Sequence, residues 1–448
     1  MNGVSNKSFG NQPSTLFVLL SIVFGIILVF LIPPFQNPDE PAHTYRAYHL
    51  ASGHLFGIQE NGRSGGMVPA WIVKLDSTTR YLRNKPDAKY TNHNVTPKPA
   101  THLRFADFPN VSYYSPIAYL PFALIAKLLL LTGINGLPAI HILRLIGLLI
   151  WILAGLYLMK AFPEAGDLPL VTGLLPGTIA LVSAITPDSI TLVLVLLWLI
   201  TIFKKTKTNW IPALLLALLF TVQRPNWWPL TWVVFLITGT LWTRWQKWIM
   251  VLFPLTGTLL FLMVVQGTFI TYNDYNPAFR NGVQLNPGVN PLIQLRLVTH
   301  DLMFFLHTLL DTWMDIWGSI FRHLMGKFGW GTNYISWVST FLLVVTLIWS
   351  GITNKIYLHR LEKLFLAWMG VSVIVITSLI LYLQWNEVGA SYIHGINGRY
   401  LLPVLPIFLV AIPWRYAAIS KQTMLIGLIL LITGIDLIMQ VYIRYYLL

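Results

Sequence analysis

The stretch TLFVLLSIVFGIILVFLIPPF, residues 15–35, is an uninterrupted apolar run, and the polar stretch NPDEPAH, residues 37–43, follows almost at once. About 20 consecutive apolar residues are enough to cross the hydrocarbon core of a bilayer as one helix. No small-residue cleavage site follows the run, so it predicts a retained membrane helix rather than a secretory signal. The chain then leaves the bilayer beside two adjacent carboxylates, Asp39 and Glu40.

The composition indicates that this run is the first of many. Of the 448 residues, 55% are hydrophobic and only 10% are charged, whereas soluble domains carry about 25% charged residues. The chain has no cysteine, which excludes disulfides, thiolate metal sites and cysteine nucleophiles. The net charge of +14 lies mainly in short connections, so it favours membrane topology and anionic lipid over nucleic-acid binding.

Clusters of lysine and arginine set the orientation of the predicted spans. Short connections rich in these residues stay in the cytoplasm, and such clusters occur at 204–207, 244–247, 355–363 and 415–421. With residues 15–35, the apolar runs predict about eleven crossings and an outside C-terminus. The other ten runs are 139–160, 168–186, 187–203, 209–222, 226–243, 248–268, 333–350, 363–383, 400–413 and 423–441.

Segment 114–133 is also apolar, but the parity of the crossings argues against a span there. With the N-terminus inside, residues 36–113 are outside, and counting back from 204–207 also places Asp188 outside. An outside-to-outside path needs an even number of crossings, so one of the three runs between these points does not cross. Segment 114–133, which carries two prolines and a lysine, is predicted to lie at the outer interface. The alternative is an outside N-terminus.

These features predict an all-α polytopic membrane protein in which residues 1–448 form one transmembrane domain. Two extracytoplasmic segments interrupt the spans: 36–113, extending to about 133, and 269–332. In the second, residues 301, 308, 311 and 315 share one face by helical spacing, so this helix is expected to be amphipathic and interfacial.

Asp39 and Glu40 are the first candidates for chemistry. In a structural interpretation, Asn37 caps a helix and Glu40 completes a capping box, which explains Glu40 better than Asp39. In a functional interpretation, Asp39 takes the proton of an attacking hydroxyl as general base. Asp39, Glu40 and His43 could also hold a divalent cation such as Mg²⁺ or Mn²⁺. His43 and Arg46 follow Asp39 by four and seven residues, so they can share its helix face.

A second constellation, IHGINGRYLLP at residues 393–403, lies at the outer end of a late span. Its glycines leave the backbone free to approach a ligand. Arg399, beside Tyr400 and five residues after His394, can grip a phosphate with two hydrogen bonds. The structural alternative is an interfacial arginine that snorkels toward lipid headgroups while the glycines turn the loop.

Three further charged residues fall on the same side of the predicted topology. Arg144 begins a span, Arg224 lies between two spans, and Asp188 opens a helix. Each alone fits a structural role, because charges at span ends are exposed and an acid suits a helix N-terminus. Their convergence with Asp39 and Arg399 predicts a site where cations hold an anionic lipid headgroup and carboxylates act on its substituent.

The stretches PPFQNPDEPAH at 33–43, YRAY at 45–48 and GRYLLP at 398–403 resemble a family of predicted bacterial membrane proteins known as a domain of unknown function. That family is similar in turn to the GT-C glycosyltransferases, and the resemblance covers nearly the whole chain. GT-C enzymes have juxtamembrane helices in a long first outer loop. The sequence shows no large soluble C-terminal domain of the oligosaccharyltransferase kind, so acceptor selection is expected to fall to the two outer segments.

The resemblance implies an inverting glycosyltransferase in the bacterial plasma membrane, with a polyprenyl-phosphate-sugar donor and its active site on the extracytoplasmic face. The acceptor would be a cell-envelope polysaccharide or a teichoic-acid-type polymer. Asp39 would be the catalytic base, with Glu40 as its neighbour or as a metal ligand. The carrier phosphate would be bound by Arg399, Tyr400, Arg224 and Arg144, supported by His43, Arg46, Asp188 and His394. A lipid-linked saccharide transporter or flippase, and a polysaccharide polymerase or ligase, stay open as alternatives.

Overall fold

The computed structural model describes residues 13–91, 102–203, 209–237, 242–272, 274–276, 286–330 and 333–447, and these are mainly helical. The basic cluster at 204–207 lies outside the described residues. In chain order the helices are α1 (Pro13–Leu31), α2 (Glu40–Ala51), α3 (Ala70–Thr79), α4 (Tyr81–Asn84), α5 (Leu120–Thr132), α6 (Gly136–Ala161), α7 (Leu168–Gly173), α8 (Pro176–Val182), α9 (Pro187–Phe203), α10 (Trp210–Gln223), α11 (Val234–Ile237), α12 (Arg244–Val265), α13 (Pro291–His300), α14 (Leu302–Gly326), α15 (Trp337–Thr353), α16 (Arg360–Trp385), α17 (Leu405–Ala411) and α18 (Gln422–Tyr445). The strands are β1 (Ile58–Glu60), β2 (Arg63–Pro69), β3 (Leu103–Asp107), β4 (Lys327–Phe328) and β5 (Asn333–Tyr334).

Among the described residues, five helices are long and apolar enough to cross a bilayer: α1, α6, α12, α16 and α18. Each coincides with an apolar run that the sequence predicts as a span. α1 packs along α6 and α18, and Phe17, Phe24 and Leu28 of α1 are buried in the main core. The prediction of a polytopic helical membrane protein is therefore confirmed at this level.

The count of about eleven crossings is not confirmed, because several of the other apolar runs are not continuous helices. Segment 168–186 forms the short helices α7 and α8, and α8 meets α9 at a bend of 110°. The runs at 226–243 and 400–413 begin as the 3-10 helices Pro225–Val233 and Gly398–Leu401. Prolines stand in the first turn of α7, α8, α9 and α17. Proline can start a helix there, but it cannot continue the preceding one.

The two ends of segment 168–186 nevertheless lie in different surroundings. Before α7, the carboxylate of Asp167 accepts hydrogen bonds from Gln422 (2.9 Å) and Thr423 (2.8 Å), directly after the basic cluster predicted to be cytoplasmic. After α8, Thr186 lines a cavity next to the chain segment that follows α1. The broken segment therefore joins the two opposite ends of the helical body.

Segment 114–133 contains the 3-10 helix Ile117–Tyr119 and then α5. With 13 residues, α5 is about 20 Å long, shorter than the hydrocarbon core of about 30 Å. Phe122 and Ala126 are buried on the side that packs against α2 and α6, while Leu124 and Leu128 are exposed. α10 and α15 are also short apolar helices, so the interfacial position of segment 114–133 stays a prediction.

The first segment predicted to be outside also contains a small sheet, which the all-α prediction did not include. β1, β2 and β3 pair antiparallel in the order β1-β2-β3, and β4 pairs with β5 further along the chain. A Cβ at Gly65 of β2 would lie 2.0 Å from the carbonyl oxygen of Ala106, so glycine is needed for this pairing. Strands of two to seven residues are too short to give a recognisable alternating pattern in a sequence dominated by long apolar runs.

The two segments predicted to be outside pack against each other. Ser64 Oγ of β2 donates to the carbonyl of Thr268 (2.6 Å), and the Asn276 side chain donates to the carbonyl of Asn61 (2.9 Å). Tyr275 also hydrogen-bonds Asp107. On α14, Asp311 and Asp315 are exposed as predicted, but Thr308 is buried, so the predicted four-residue face is wrong at that position.

Candidate active site

Asp39 stands between α1 and α2 in a left-handed backbone conformation, with φ 61° and ψ 0°. It is the residue before α2, yet its side chain makes no capping bond to that helix. The capping-box interpretation with Asn37 and Glu40 is therefore wrong. Aspartate tolerates this region better than most residues, but such conformations still cost about 1–3 kcal/mol and cluster at functional sites. The carboxylate of Asp39 is thus free for other partners.

Those partners come from distant parts of the chain. Arg399 donates to Asp39 Oδ2 (2.8 Å), and Asn110 donates to Asp39 Oδ1 (3.2 Å). Arg399 Nε also lies 3.9 Å from Asp188 Oδ2. Arg224, at the end of α10, donates to Asp188 Oδ1 through Nε (2.8 Å) and through a second nitrogen. Two arginines and two carboxylates therefore alternate in one network.

Two tyrosine rings flank this network. The hydroxyl of Tyr114 accepts a hydrogen bond from Arg224 (3.1 Å), and the Arg224 guanidinium lies 5.1 Å from the centre of the same ring. Tyr400 lies 5.3 Å from the Arg399 guanidinium and 5.8 Å from that of Arg224. Cations over aromatic faces are held in place electrostatically, so the rings fix where the guanidinium groups point.

Burial and nearby charges decide whether Asp39 and His43 are ionised. Burial by itself would raise the pKa of Asp39, but the neighbouring Arg399 guanidinium holds it below the usual value. Burial lowers the pKa of His43 to about 4, and its Nδ1 lies 2.8 Å from the Tyr119 hydroxyl. At neutral pH Asp39 is therefore an ionised acceptor, and His43 is uncharged.

A cavity of about 150 Å³ lies beside Arg399 and is walled by α8, the end of α14 and the residues after α1. Lys327 and His323 line it, and Lys327 Nζ lies 3.0 Å from His323 Nε2. Because an ammonium only donates, Nε2 is the acceptor and the ring proton is on Nδ1, which has no hydrogen-bond partner in the described part of the chain. Asn37 also lines the cavity, and its Nδ2 is buried with no hydrogen-bond partner within the described ranges. The cavity therefore presents unused donors and two cations, as an anion site requires.

Gly398 makes the close approach behind this cavity possible. A Cβ at this position would lie 2.7 Å from His323 Cβ and 2.8 Å from the backbone nitrogen of Leu324. Any side chain at residue 398 would push the 3-10 helix Gly398–Leu401 away from α14. The glycine thus allows Arg399 and Lys327, which are far apart in sequence, to face one cavity.

Glu40 and Arg144 lie apart from this network and bind each other. Arg144 donates to both carboxylate oxygens of Glu40 (2.7 Å each), and both side chains are completely buried. Its other N–H groups donate to the carbonyls of Val29, Ile32 and Pro33 at the end of α1. All five guanidinium donors have acceptors, so Arg144 has none left for a carrier phosphate. This geometry replaces the predicted phosphate-binding and catalytic roles of Arg144 and Glu40 with a structural one.

Two supporting residues also lie elsewhere. Arg46 is fully buried and donates to the carbonyls of Leu55, His54 and Tyr114, so it holds the segment after α1 together. His394 is exposed and lines a different cavity.

The predicted metal ligands do not form a site. Among the described residues no group of three or more histidine or acidic side chains has metal-binding geometry. Glu40, the middle residue of the predicted set, is directed to Arg144 instead. Asp39, Glu40 and His43 therefore do not fit a divalent cation.

Four residues of the site were not predicted from the sequence. Lys327 and His323 stand four residues apart at the end of an amphipathic helix, a spacing that places both side chains on one face and could have singled them out. Asn110 stands in the tripeptide NVS at 110–112, and Tyr114 in the tripeptide YSP at 114–116. Nothing in either short motif indicates a contact with Asp39 or Arg224.

Comparison with known proteins gives one match. A family model described as Predicted membrane protein (DUF2142) matches residues 22–408, and the chain belongs to that family. The matched range contains Asp39, Asp188, Arg224, Lys327 and Arg399. No curated protein and no solved structure matches the chain.

Proposed function

We propose that this member of the DUF2142 family is a membrane glycosyltransferase that moves a sugar from a polyprenyl-phosphate carrier to an acceptor outside the cytoplasm. The acceptor class is a cell-envelope polysaccharide or a teichoic-acid-type polymer, and the enzyme acts at the outer face of a bacterial plasma membrane. One observation carries the proposal. The Asp39 carboxylate makes no helix cap and instead contacts Arg399, which lines a cavity together with the cation Lys327.

In the proposed reaction the carrier phosphate lies in this cavity. Arg399 and Lys327 would donate charge-assisted hydrogen bonds to it and stabilise the charge that develops on the leaving phosphate. The oxygen of an acceptor hydroxyl forms the new bond to the anomeric carbon, and the carbon–oxygen bond to the phosphate breaks. Polyprenyl phosphate leaves with the electron pair, and Asp39 takes the hydroxyl proton as general base. This single displacement inverts the anomeric centre.

The pairing of Asp39 with Arg399 supplies a link between donor binding and base strength. A carboxylate whose pKa is held down by a guanidinium is ionised but weakly basic. A phosphate bound by Arg399 would compete with Asp39 for the same guanidinium. The pKa of Asp39 would then rise toward the range in which general bases are effective.

The polymerase or ligase alternative is supported by a different observation. The second outer segment contributes His323 and Lys327 to the cavity, and such enzymes are expected to place chemistry in a large later outer loop. The two functions differ in the group transferred, which is one sugar in the first case and a preassembled saccharide in the second. Mass analysis of the product therefore separates them.

The test is sugar transfer by the full-length protein in nanodiscs, with a panel of undecaprenyl-phosphate sugars as donors and isolated cell-envelope polymer as acceptor. Asp39→Asn removes the general base, so transfer should fall by about 10²–10⁴-fold. Binding of undecaprenyl phosphate itself should not weaken, because Arg399 and Lys327 remain. Asp311→Asn, at an exposed carboxylate of α14 that does not line the cavity, is the matched control and should retain the wild-type rate.

Two outcomes would contradict the proposal. One is a wild-type protein that binds no undecaprenyl phosphate and consumes none of the donors. The other is Asp39→Asn transferring sugar at the wild-type rate, which would remove Asp39 from the chemistry.

A further inference from the structure

A second cavity, of about 250 Å³, lies between the loop after α16 and the residues before α13. Aromatic and polar side chains line it, and none of them belongs to the Asp39 network. They include Asn286, Trp385, Asn386, Glu387, Tyr392 and His394.

The loop that forms one wall is held in a defined shape. The amide of Asn386 accepts a hydrogen bond from the His394 backbone N–H (2.8 Å) and donates to the His394 carbonyl (3.3 Å). The backbone N–H of Val388 donates to the carbonyl of Gly288 (3.0 Å), which ties the two walls together. A cavity with walls fixed in this way is preorganised for a ligand.

Trp385 presents its ring to this cavity and remains 41% exposed. Gly395, at φ +91°, lets the backbone lie against the indole, since a Cβ there would stand 2.9 Å from Trp385 Cδ1. The ring of Tyr272 lies perpendicular to the indole, at 6.1 Å between ring centres, and supports it further. A tryptophan that only anchors a helix end in the headgroup region needs no such support.

The polar groups of the cavity include both donors and acceptors. Asn286 has φ 46°, and its Nδ2 is buried without a hydrogen-bond partner among the residues that the structure describes. Glu387 is exposed and makes no ion pair within the described parts of the chain. The Tyr392 hydroxyl donates to Asp315 (2.8 Å), which fixes the orientation of its ring.

We infer that this cavity binds one sugar residue of a glycan. A sugar ring has an apolar C–H face that packs on an aromatic ring, and hydroxyl groups that both donate and accept hydrogen bonds. The Glu387 carboxylate disfavours an anion, and the polar lining disfavours an acyl chain. The cavity is smaller than the roughly 300–1,000 Å³ of pockets for drug-sized ligands, which limits the occupant to about one ring.

The role of this site as an acceptor subsite rests on the proposed function. His394 of this cavity and Arg399 of the first are five residues apart, so their Cα atoms are at most about 18 Å apart. An oligosaccharide held by one sugar in this cavity can therefore offer another sugar to Asp39. Saccharide binding by itself does not depend on the transfer reaction.

The test is saturation-transfer difference NMR on the full-length protein in nanodiscs, with methyl glycosides of glucose, galactose, mannose and N-acetylglucosamine at millimolar concentration. At least one glycoside should show saturation of its ring protons. Trp385→Ala should weaken its binding about fivefold, by loss of the stacking surface. Glu387→Gln should weaken it about threefold, by loss of a hydrogen bond to a charged acceptor. Trp317→Ala, at an exposed indole of α14 that does not line this cavity, is the control and should leave binding unchanged.

Glu387→Gln changes an exposed side chain, so it decides the question if Trp385→Ala fails to fold. The inference is overturned if no glycoside shows saturation, or if the affinity for that glycoside is the same in both variants as in the wild type. It is also overturned if Trp385→Ala abolishes saturation of a short peptide but not of the glycosides. Asp39→Asn should keep wild-type saturation, so a failure of the transfer proposal and a failure of this site give different results.

Discussion

Two arginine–carboxylate pairs at the C-terminal end of α1 use the same chemical groups in opposite ways. Glu40 and Arg144 are completely buried, and every guanidinium donor of Arg144 has an acceptor. Asp39 precedes Glu40 by one residue, and its pair with Arg399 keeps 29% and 17% of the two side chains exposed beside a cavity. A saturated pair can only support the fold, whereas a pair with unused donors can exchange partners with a ligand.

The difference follows from the direction of each side chain at the start of α2. The left-handed conformation of Asp39 turns its carboxylate toward Arg399 and Asn110. Glu40, in the first turn of α2, points to Arg144 and also accepts from the backbone N–H of Ile185 (3.2 Å). One change of backbone conformation thus separates a residue of the proposed reaction site from a residue of the core.

The largest expected effect comes from breaking the saturated pair. Arg144→Ala leaves a buried carboxylate and three carbonyls without their donor, which should destabilise the protein by about 3–5 kcal/mol. Thermal unfolding of the purified protein in detergent measures this loss. Asp39→Asn serves as the contrast and should unfold close to the wild-type temperature, because its partners are partly exposed. Equal losses in the two variants would remove the distinction between the pairs.

A smaller loss of stability is expected when the pH is lowered. The folded pKa of His43 is about 4, below the unfolded value of about 6.5, so the unfolded state binds more protons between these values. The contribution of neutral His43 to the free energy of unfolding is fully present above pH 6.5. As the pH falls toward 4, this contribution is lost, by on the order of 3 kcal/mol. His43→Gln should reduce the pH dependence of thermal unfolding in this window. His54→Gln, at an exposed histidine, should leave that dependence unchanged, and the idea fails if the two variants behave alike.

The smallest effect is expected at Lys327, the cation of the first cavity. Within the described residues Lys327 makes no ion pair and contacts His323. Lys327→Met should raise the donor KM about tenfold through loss of one charge-assisted hydrogen bond, with little change in kcat or unfolding temperature. Lys74→Met, at an exposed lysine of α3, is the control. A changed unfolding temperature with an unchanged KM would make Lys327 a structural residue like Arg144.

Sequence patterns identified the class of the protein because the hydrophobic effect acts on whole runs of residues. Apolar runs predicted the five long helices, and the stretches around Asp39 and Arg399 were singled out by their charges beside those runs. The same patterns overcounted the continuous spans, because prolines divide segments 168–186 and 400–413 into short helices, and 226–243 begins as a 3-10 helix, although all three runs are apolar in sequence. Periodicity also did not indicate the short strands β1, β2 and β3.

The sequence by itself determined that the chain is a polytopic membrane protein and that carboxylates and arginines gather near one end of its helices. Only the tertiary structure decided which of these charges are partners. Arg144 forms a salt bridge with Glu40, Arg399 with Asp39, and Arg224 with Asp188. These pairs join residues 36 to 360 positions apart, and no local pattern specifies such contacts. Their geometry depends on how the helices pack and on single backbone conformations such as that of Asp39.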